Sequence, residues 1–351
     1  MLVNVVVYVP STLLKFRFEG AVMSLPFGVF IGSVFIYLFQ SSLNKFDFKD
    51  ITEILSDLTP NWIRSPLLII LGSIGFITGL LTLLAFNNIA IRYLNPEIAG
   101  INLITIFSLF IIISVVNLSS SQVLYTLETL LILNLPLILL VTFQVFTNDY
   151  ITWNSILEVL SHWREFPSWN ALAASVFVFS GFTHMMIFYR AFNEKVKIQR
   201  FWFLPLLGLF NLATTFFIPI GLLGADGVIE YTFPWVVTAD SLQFEYGPVE
   251  RIISVFLLLY LSISVLSVIV QWHVSSQLIL GLMNTRRLGE KKTKIFTWII
   301  LGIFGVFVLV AENILIEEQI FHFGETWLNI RFLTETFTVF IMWILARRIK
   351  T

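Results

Sequence analysis

"FVFSGFTH", residues 177–184, lies midway along an apolar run that begins near Ala171 and ends at Arg190. About 20 apolar residues in a helix cross a hydrocarbon core of ~30 Å, so the run reads as a membrane span. Its centre nevertheless holds Ser180, Gly181, Thr183 and His184. Two readings compete. Small and hydroxyl residues let neighbouring membrane helices pack closely. A break in the helix would instead free backbone N–H and C=O groups, which lipid cannot satisfy, so they must line a cavity or hold a ligand. The adjoining Thr183-His184 pair favours the second reading, and we expect the helix to unwind at Ser180-Gly181.

The bilayer itself follows from composition. The chain has 351 residues, of which 57% are hydrophobic and 12% charged, with a mean hydropathy of +0.89. Soluble domains carry roughly 25% charged residues, so about half the usual charge is missing. A net charge of −1 leaves no electrostatic footprint for nucleic acid. The absence of cysteine excludes disulfides and thiolate metal sites. The four histidines, His162, His184, His273 and His322, are too scattered for a zinc-binding spacing. No nucleophile–base pair or phosphate loop stands out either. We therefore expect a membrane protein that is not an enzyme and carries no cofactor or metal.

Span-length apolar runs occur at 21–40, 66–90, 98–117, 125–146, 171–190, 201–223, 250–273, 294–314 and 327–346. Continuous Leu, Ile and Phe blocks exclude a barrel of alternating strands. A tenth candidate, Val3–Leu14, would reach only ~18 Å at 1.5 Å per residue, half a span. It lacks the basic flank and small-residue cleavage site of a signal peptide. Fifteen of the 21 basic residues fall on one side of the resulting topology, which the positive-inside rule makes cytoplasmic together with the C-terminus. The ten tryptophans fall near segment ends or in loops, as an interfacial belt requires. Residues 45–58 gather Ile51, Ile54, Leu55 and Leu58 on one face, which reads as a short amphipathic helix at the cytoplasmic interface. The outer stretch 224–249, with Asp226, Glu230, Asp240 and Glu245, reads as a connecting loop or an extracytoplasmic cap.

Ten segments divide into five and five, and because five is odd, structurally related halves must be inverted. Residues 1–146 form the first half, 147–170 an extracytoplasmic loop and 171–351 the second half of one transmembrane domain. The first segment of each half is interrupted, by Pro10-Ser11 and by Ser180-Gly181. Broken segments at matching positions of inverted halves point to a midplane site. Their exposed helix ends favour a carboxylate at N–H groups and an ammonium at carbonyls, which an amino acid supplies together.

The chain also resembles a known family. "VVYVPSTLL" (6–14), "FTNDYITWNSILEVLSHW" (146–163), the stretch from "YTFPWVV" (231–237) through "ERIISVF" (250–256) to "SISVLSV" (262–268), and "NIRFLTETFTVFIMWILARRIK" (329–350) are similar, in order and spacing, to the B subunits of spore nutrient-germinant receptors. These GerAB-type proteins belong to the amino acid–polyamine–organocation transporter superfamily. The resemblance implies an all-α, LeuT-like bundle of two inverted five-helix repeats. It also implies a small nutrient, an amino acid, as ligand, with a second membrane subunit and a lipoprotein as partners in the spore inner membrane. Two departures stand out. Family members carry a cytoplasmic half-helix ahead of the first-segment proline, so we expect coding sequence upstream of Met1. They also place a proline and an acid near the sixth-segment break, where Phe179, Phe182 and Thr183 stand here.

In such a bundle the first, third, sixth and eighth segments enclose the ligand. The polar positions nearest mid-depth are Pro10, Ser11, Thr78, Ser180, Gly181, Phe182, Thr183, His184, Tyr260 and Ser262. Glu335 lies inside the last segment, four residues after Arg331; an i, i+4 ion pair and a proton-linked carboxylate are the two readings. Glu128 and Glu312 read as segment-end residues, and His273 as interfacial. Two functions fit these features: a nutrient-sensing receptor subunit, and a proton-coupled amino acid transporter.

Overall fold

The apolar runs fold as helices, as backbone groups in lipid require. The structure, a computed structural model, describes residues 7–93, 96–97, 99–192, 194–195, 202–242, 252–283 and 289–348. In chain order the helices are α1 (Tyr8–Lys15), α2 (Ala21–Leu43), α3 (Ile51–Leu58), α4 (Asn61–Tyr93), α5 (Gly100–Asn117) and α6 (Ser120–Phe146). They continue as α7 (Trp153–Ser161), α8 (Trp169–Ala191), α9 (Phe203–Leu223), α10 (Pro234–Ser241), α11 (Ile252–Leu280), α12 (Glu290–Ile314) and α13 (Glu317–Arg348). Among the described residues nine helices are long and apolar enough to cross a membrane: α2, α4, α5, α6, α8, α9, α11, α12 and α13. The chain is a polytopic helical membrane bundle.

Over its described residues each of the nine expected runs is helical, and several reach further at their polar ends. Hydrophobicity marks only the part of a helix inside hydrocarbon. The start of α6 at Ser120 rather than near 125 has a local cause. Ser119 and Gln122 form a capping box, Ser119 N donating to Gln122 Oε1 at 2.8 Å. The interfacial helix expected over 45–58 is α3, capped by Asp50, whose carboxylate accepts from Glu53 N at 3.0 Å, and it buries Ile51, Ile54 and Leu55. At the other end Gly20 opens α2 with φ 83°, a left-handed angle that glycine adopts freely.

Ion pairs tie the loops at each end. Arg190–Asp50 at 3.2 Å and Lys195–Asp47 at 3.7 Å join the ends of α8 and α2 on the side assigned to the cytoplasm. Lys15–Glu325 at 3.0 Å, Arg92–Glu317 at 2.9 Å and Arg17–Asp226 at 3.4 Å join the opposite side. Within the outer stretch Pro234–Ser241 form α10, and Arg17 also donates to the Ala225 carbonyl.

Glycine stripes set the packing. Gly72, Gly75 and Gly79 of α4 face Ile279, Ser275 and Trp272 of α11, so the two backbones approach closely. Gly32 of α2 and Gly208 of α9 both face the Phe179 ring, gripping α8 at its middle. α8 is accordingly central, its apolar stretch mostly buried, whereas most of α6 faces outward.

Two expectations are corrected. Trp272 and Trp327 are buried in the bundle, filling the space opposite the α4 glycines and beside Phe177 instead of joining an interfacial belt. His273 is also buried, bonded to Ser120 Oγ at 3.0 Å and stacked on Phe188, because α11 runs to Leu280 and carries it well inside the helix. Pro10 lies in the first turn of α1, a position that suits its missing N–H; the chain ahead of residue 7, where the expected interruption would show, lies outside the described residues. Residues 3–6 of the half-span, Glu245, the 250–251 motif and the basic residues Lys197, Arg200, Arg286, Arg287 and Lys350 lie outside the described residues.

Candidate functional site

The decisive octapeptide is neither unwound nor α-helical. Residues 177–184 form a 3₁₀-helix between two α-helical parts of α8. Such runs rarely exceed three or four residues. Two hydroxyls hold this one: Ser180 Oγ donates to Phe177 O at 2.6 Å and Thr183 Oγ1 to Ser180 O at 2.9 Å. Gly181 is absent from the residues with left-handed φ, which among the described ones are Gly20, Gly224 and Phe48. The expected unwinding is therefore corrected to a tightening. Hydroxyls at i, i+3 spacing satisfy carbonyls locally, so the backbone opens nowhere. The three-residue period also aligns Gly181 with His184 on one face.

That face meets α11. His184 Nε2 lies 3.0 Å from Gln271 Oε1, and this pair separates two cavities. On one side is a polar cavity of about 30 Å³, lined by Thr78, Thr183, Arg331 and Glu335 besides the pair. On the other is an apolar cavity of about 400 Å³ between α6, α8 and α11, lined by leucines of α6, Gly181, Phe188 and Val270, with Asn134 and Ser267 as polar points.

The polar cavity contains a buried ion pair. Arg331 and Glu335 are 3% and 5% exposed, with Arg331 Nη2 2.9 Å from Glu335 Oε1. The guanidinium is clamped over Phe177 at 4.4 Å and beside Trp327 at 5.1 Å. The contact is close but poorly aligned. Arg331 Nη1 and Glu335 Oε1 both lack a hydrogen-bond partner among the described residues. The i, i+4 pairing expected from the sequence is present.

The other expected residues scatter. Ser11 lines an outer cavity of about 230 Å³ with Tyr8, Thr12, Lys15, His322 and Glu325, a lining that does not include Ser180 or Gly181 of α8. Pro10 is buried in the same short helix, so the two interruptions do not face each other across the central cavity. Tyr260 is buried between Phe256 and Phe86. Ser262 donates to Asn134 Oδ1 at 2.8 Å, toward α6. Phe182 packs on Phe39. Ser180 is wholly buried in its own turn. Glu312 accepts from Asn87 Nδ2 at 2.6 Å, the structural role expected, and Glu128 is exposed on α6. Thr78, Thr183, His184, Arg331 and Glu335 thus come together, and Gln271 joins them unannounced. Its signal was present: an amide within the apolar run of α11 needs a partner.

The family model described as "Spore germination protein" matches residues 20–315. The chain belongs to the spore germination protein family. A search of the curated proteins gave no match. The resemblance read from the sequence is borne out, and the chain is a germination-related integral membrane protein of a permease-type, non-enzymatic family. Thr78, Thr183, His184 and Gln271 lie within the residues this germination family matches, whereas Arg331 and Glu335 lie beyond them.

Proposed function

We propose that this chain is the nutrient-sensing B subunit of a germinant receptor in the spore inner membrane. It binds a small nutrient, an amino acid, and signals through a second membrane subunit and a lipoprotein subunit. The observation that carries the reading is the polar centre itself, a buried cluster of Thr78, Thr183, His184, Gln271, Arg331 and Glu335 supplied by four helices of a germination-family bundle. Buried polar groups in a membrane bundle are costly and mark ligand or ion paths. Arg331 neutralises Glu335 within its own helix, which favours sensing over proton-coupled transport. In this reading residues 1–146 and 171–351 are the inverted five-helix halves, joined by 147–170, and binding tips their balance.

A ligand biases two conformations only through its differential affinity, and a factor of ten corresponds to ~1.4 kcal/mol. A few hydrogen bonds made in one state supply that. The test is deletion of this gene in the spore former, followed by loss of optical density on exposure to each neutral amino acid. The reading requires that the response to at least one amino acid disappears, returns with the wild-type gene and also disappears when the partner subunits are removed. An unchanged response to every nutrient overturns it.

A further inference from the structure

The polar cavity is too small for an amino acid. A water takes about 10–15 Å³ on the same measure, so about 30 Å³ holds about two. The apolar cavity beside it, about 400 Å³, falls in the range of ~300–1,000 Å³ typical of small-molecule sites. Among the described residues no charged side chain lines that larger space, so a zwitterion could not rest there alone. Both cavities share His184 and Gln271, the hydrogen-bonded pair between them.

The ion pair has the unmet capacity that a zwitterion needs. Arg331 Nη1 is buried and without a hydrogen-bond partner among the described residues, Glu335 Oε1 meets only the poorly aligned Nη2 contact, and both side chains line the polar cavity. Such groups need an explanation. A guanidinium and a carboxylate side by side present the complement of an α-amino acid's two charges, and guanidinium–carboxylate pairing is among the strongest side-chain interactions available. Resting on the proposed nutrient-sensing role, we infer that the Arg331–Glu335 pair is the receptor for the carboxylate and ammonium of a neutral amino acid. The apolar cavity between α6, α8 and α11 takes its bulky aliphatic side chain. Entry parts His184 from Gln271 and merges the two spaces. The long 3₁₀ stretch, which can lengthen or relax by changing hydrogen-bond register, lets His184 swing. Bound ligand replaces the poorly aligned internal pair with two aligned ones.

The experiment uses the full-length protein in lipid nanodiscs, with ligand-induced thermal stabilisation as readout. The probes are L-leucine, 4-methylpentanoate, which lacks the ammonium, and 3-methylbutylamine, which lacks the carboxylate. We expect leucine to bind and each analogue to bind at least tenfold more weakly, with alanine also weaker than leucine. The double variant Arg331→Met/Glu335→Leu replaces both charges by apolar groups, a change buried pairs often tolerate. It should remain folded and lose leucine binding. Leucine failing to bind wild type, the three probes binding alike, or a folded double variant binding as wild type does, would each overturn the inference. Should the double variant not fold, the analogue series on wild type decides alone. Failure here is distinct from failure of the receptor reading. Spores of the double variant that still answer to the same amino acid refute the ion-pair site and leave sensing intact. Leucine binding by purified protein whose gene is dispensable for germination refutes sensing and leaves the site intact.

Discussion

Arg331 and Glu335 illustrate what a single residue does in this bundle. Removing one partner of a buried pair leaves an uncompensated charge and costs about 3–5 kcal/mol, whereas replacing both is often neutral. Glu335→Leu alone should therefore lower thermal stability in detergent sharply, and Arg331→Met/Glu335→Leu should recover most of the loss. Equal losses for the single and double variants would show that the pair is not coupled. Gly181 makes a different point. Its helical φ removes the argument that glycine is needed for an unusual backbone angle. Gly181 lines the apolar cavity, so room there is the role we expect of it. Gly181→Val should insert and fold normally and should lose the response to bulky aliphatic nutrients before that to small ones. A uniform loss across nutrients, measured as spore optical density, would argue for a backbone role instead.

Among the elements, the pairing of α4 with α11 holds the floor of the polar centre, because Thr78 and Gln271 sit on these two helices beside the glycine stripe. A Cβ built at Gly79 would lie 2.6 Å from Trp272 Cδ1. Overpacking of this kind costs about 1–3 kcal/mol. Gly79→Val should lower the melting temperature and weaken nutrient binding together, since pushing α11 away displaces Gln271. Gly302→Val, at a position where an added Cβ meets nothing within 4 Å, serves as the control and should change neither. The helices themselves were legible in the sequence because lipid forces hydrophobic runs to be helical. The amphipathic α3 was legible from its four aliphatic residues. The state of residues 177–184 was only half legible. A Ser-Gly-Phe-Thr string announces an irregularity, but whether hydroxyls tighten the turn or carbonyls open it depends on what grips Phe179, namely Gly32 and Gly208 from two other helices. Gln271 escaped notice for the same reason, since its partner His184 is distant in the chain and only packing joins them.

At the scale of the molecule, the family match shows a germination-related membrane bundle, and the buried polar centre supports the proposal that it senses a nutrient. Charge tells two ends apart, with Arg190–Asp50 and Lys195–Asp47 at one and Lys15–Glu325 and Arg92–Glu317 at the other. Lys15 is largely exposed, and surface pairs are worth about 0–1 kcal/mol each, so Lys15→Ala should change stability little. Lys15 and Glu325 also line the outer cavity, and opening their contact should speed nutrient access, measured as a shorter lag before germination. No change in lag would show that the outer cavity is not on the path. The most direct test of sensing against transport is uptake of radiolabelled neutral amino acids into liposomes containing this chain alone, under an inward proton gradient. Saturable binding without accumulation is the predicted result, and concentrative, proton-driven uptake that disappears in Glu335→Gln would contradict it.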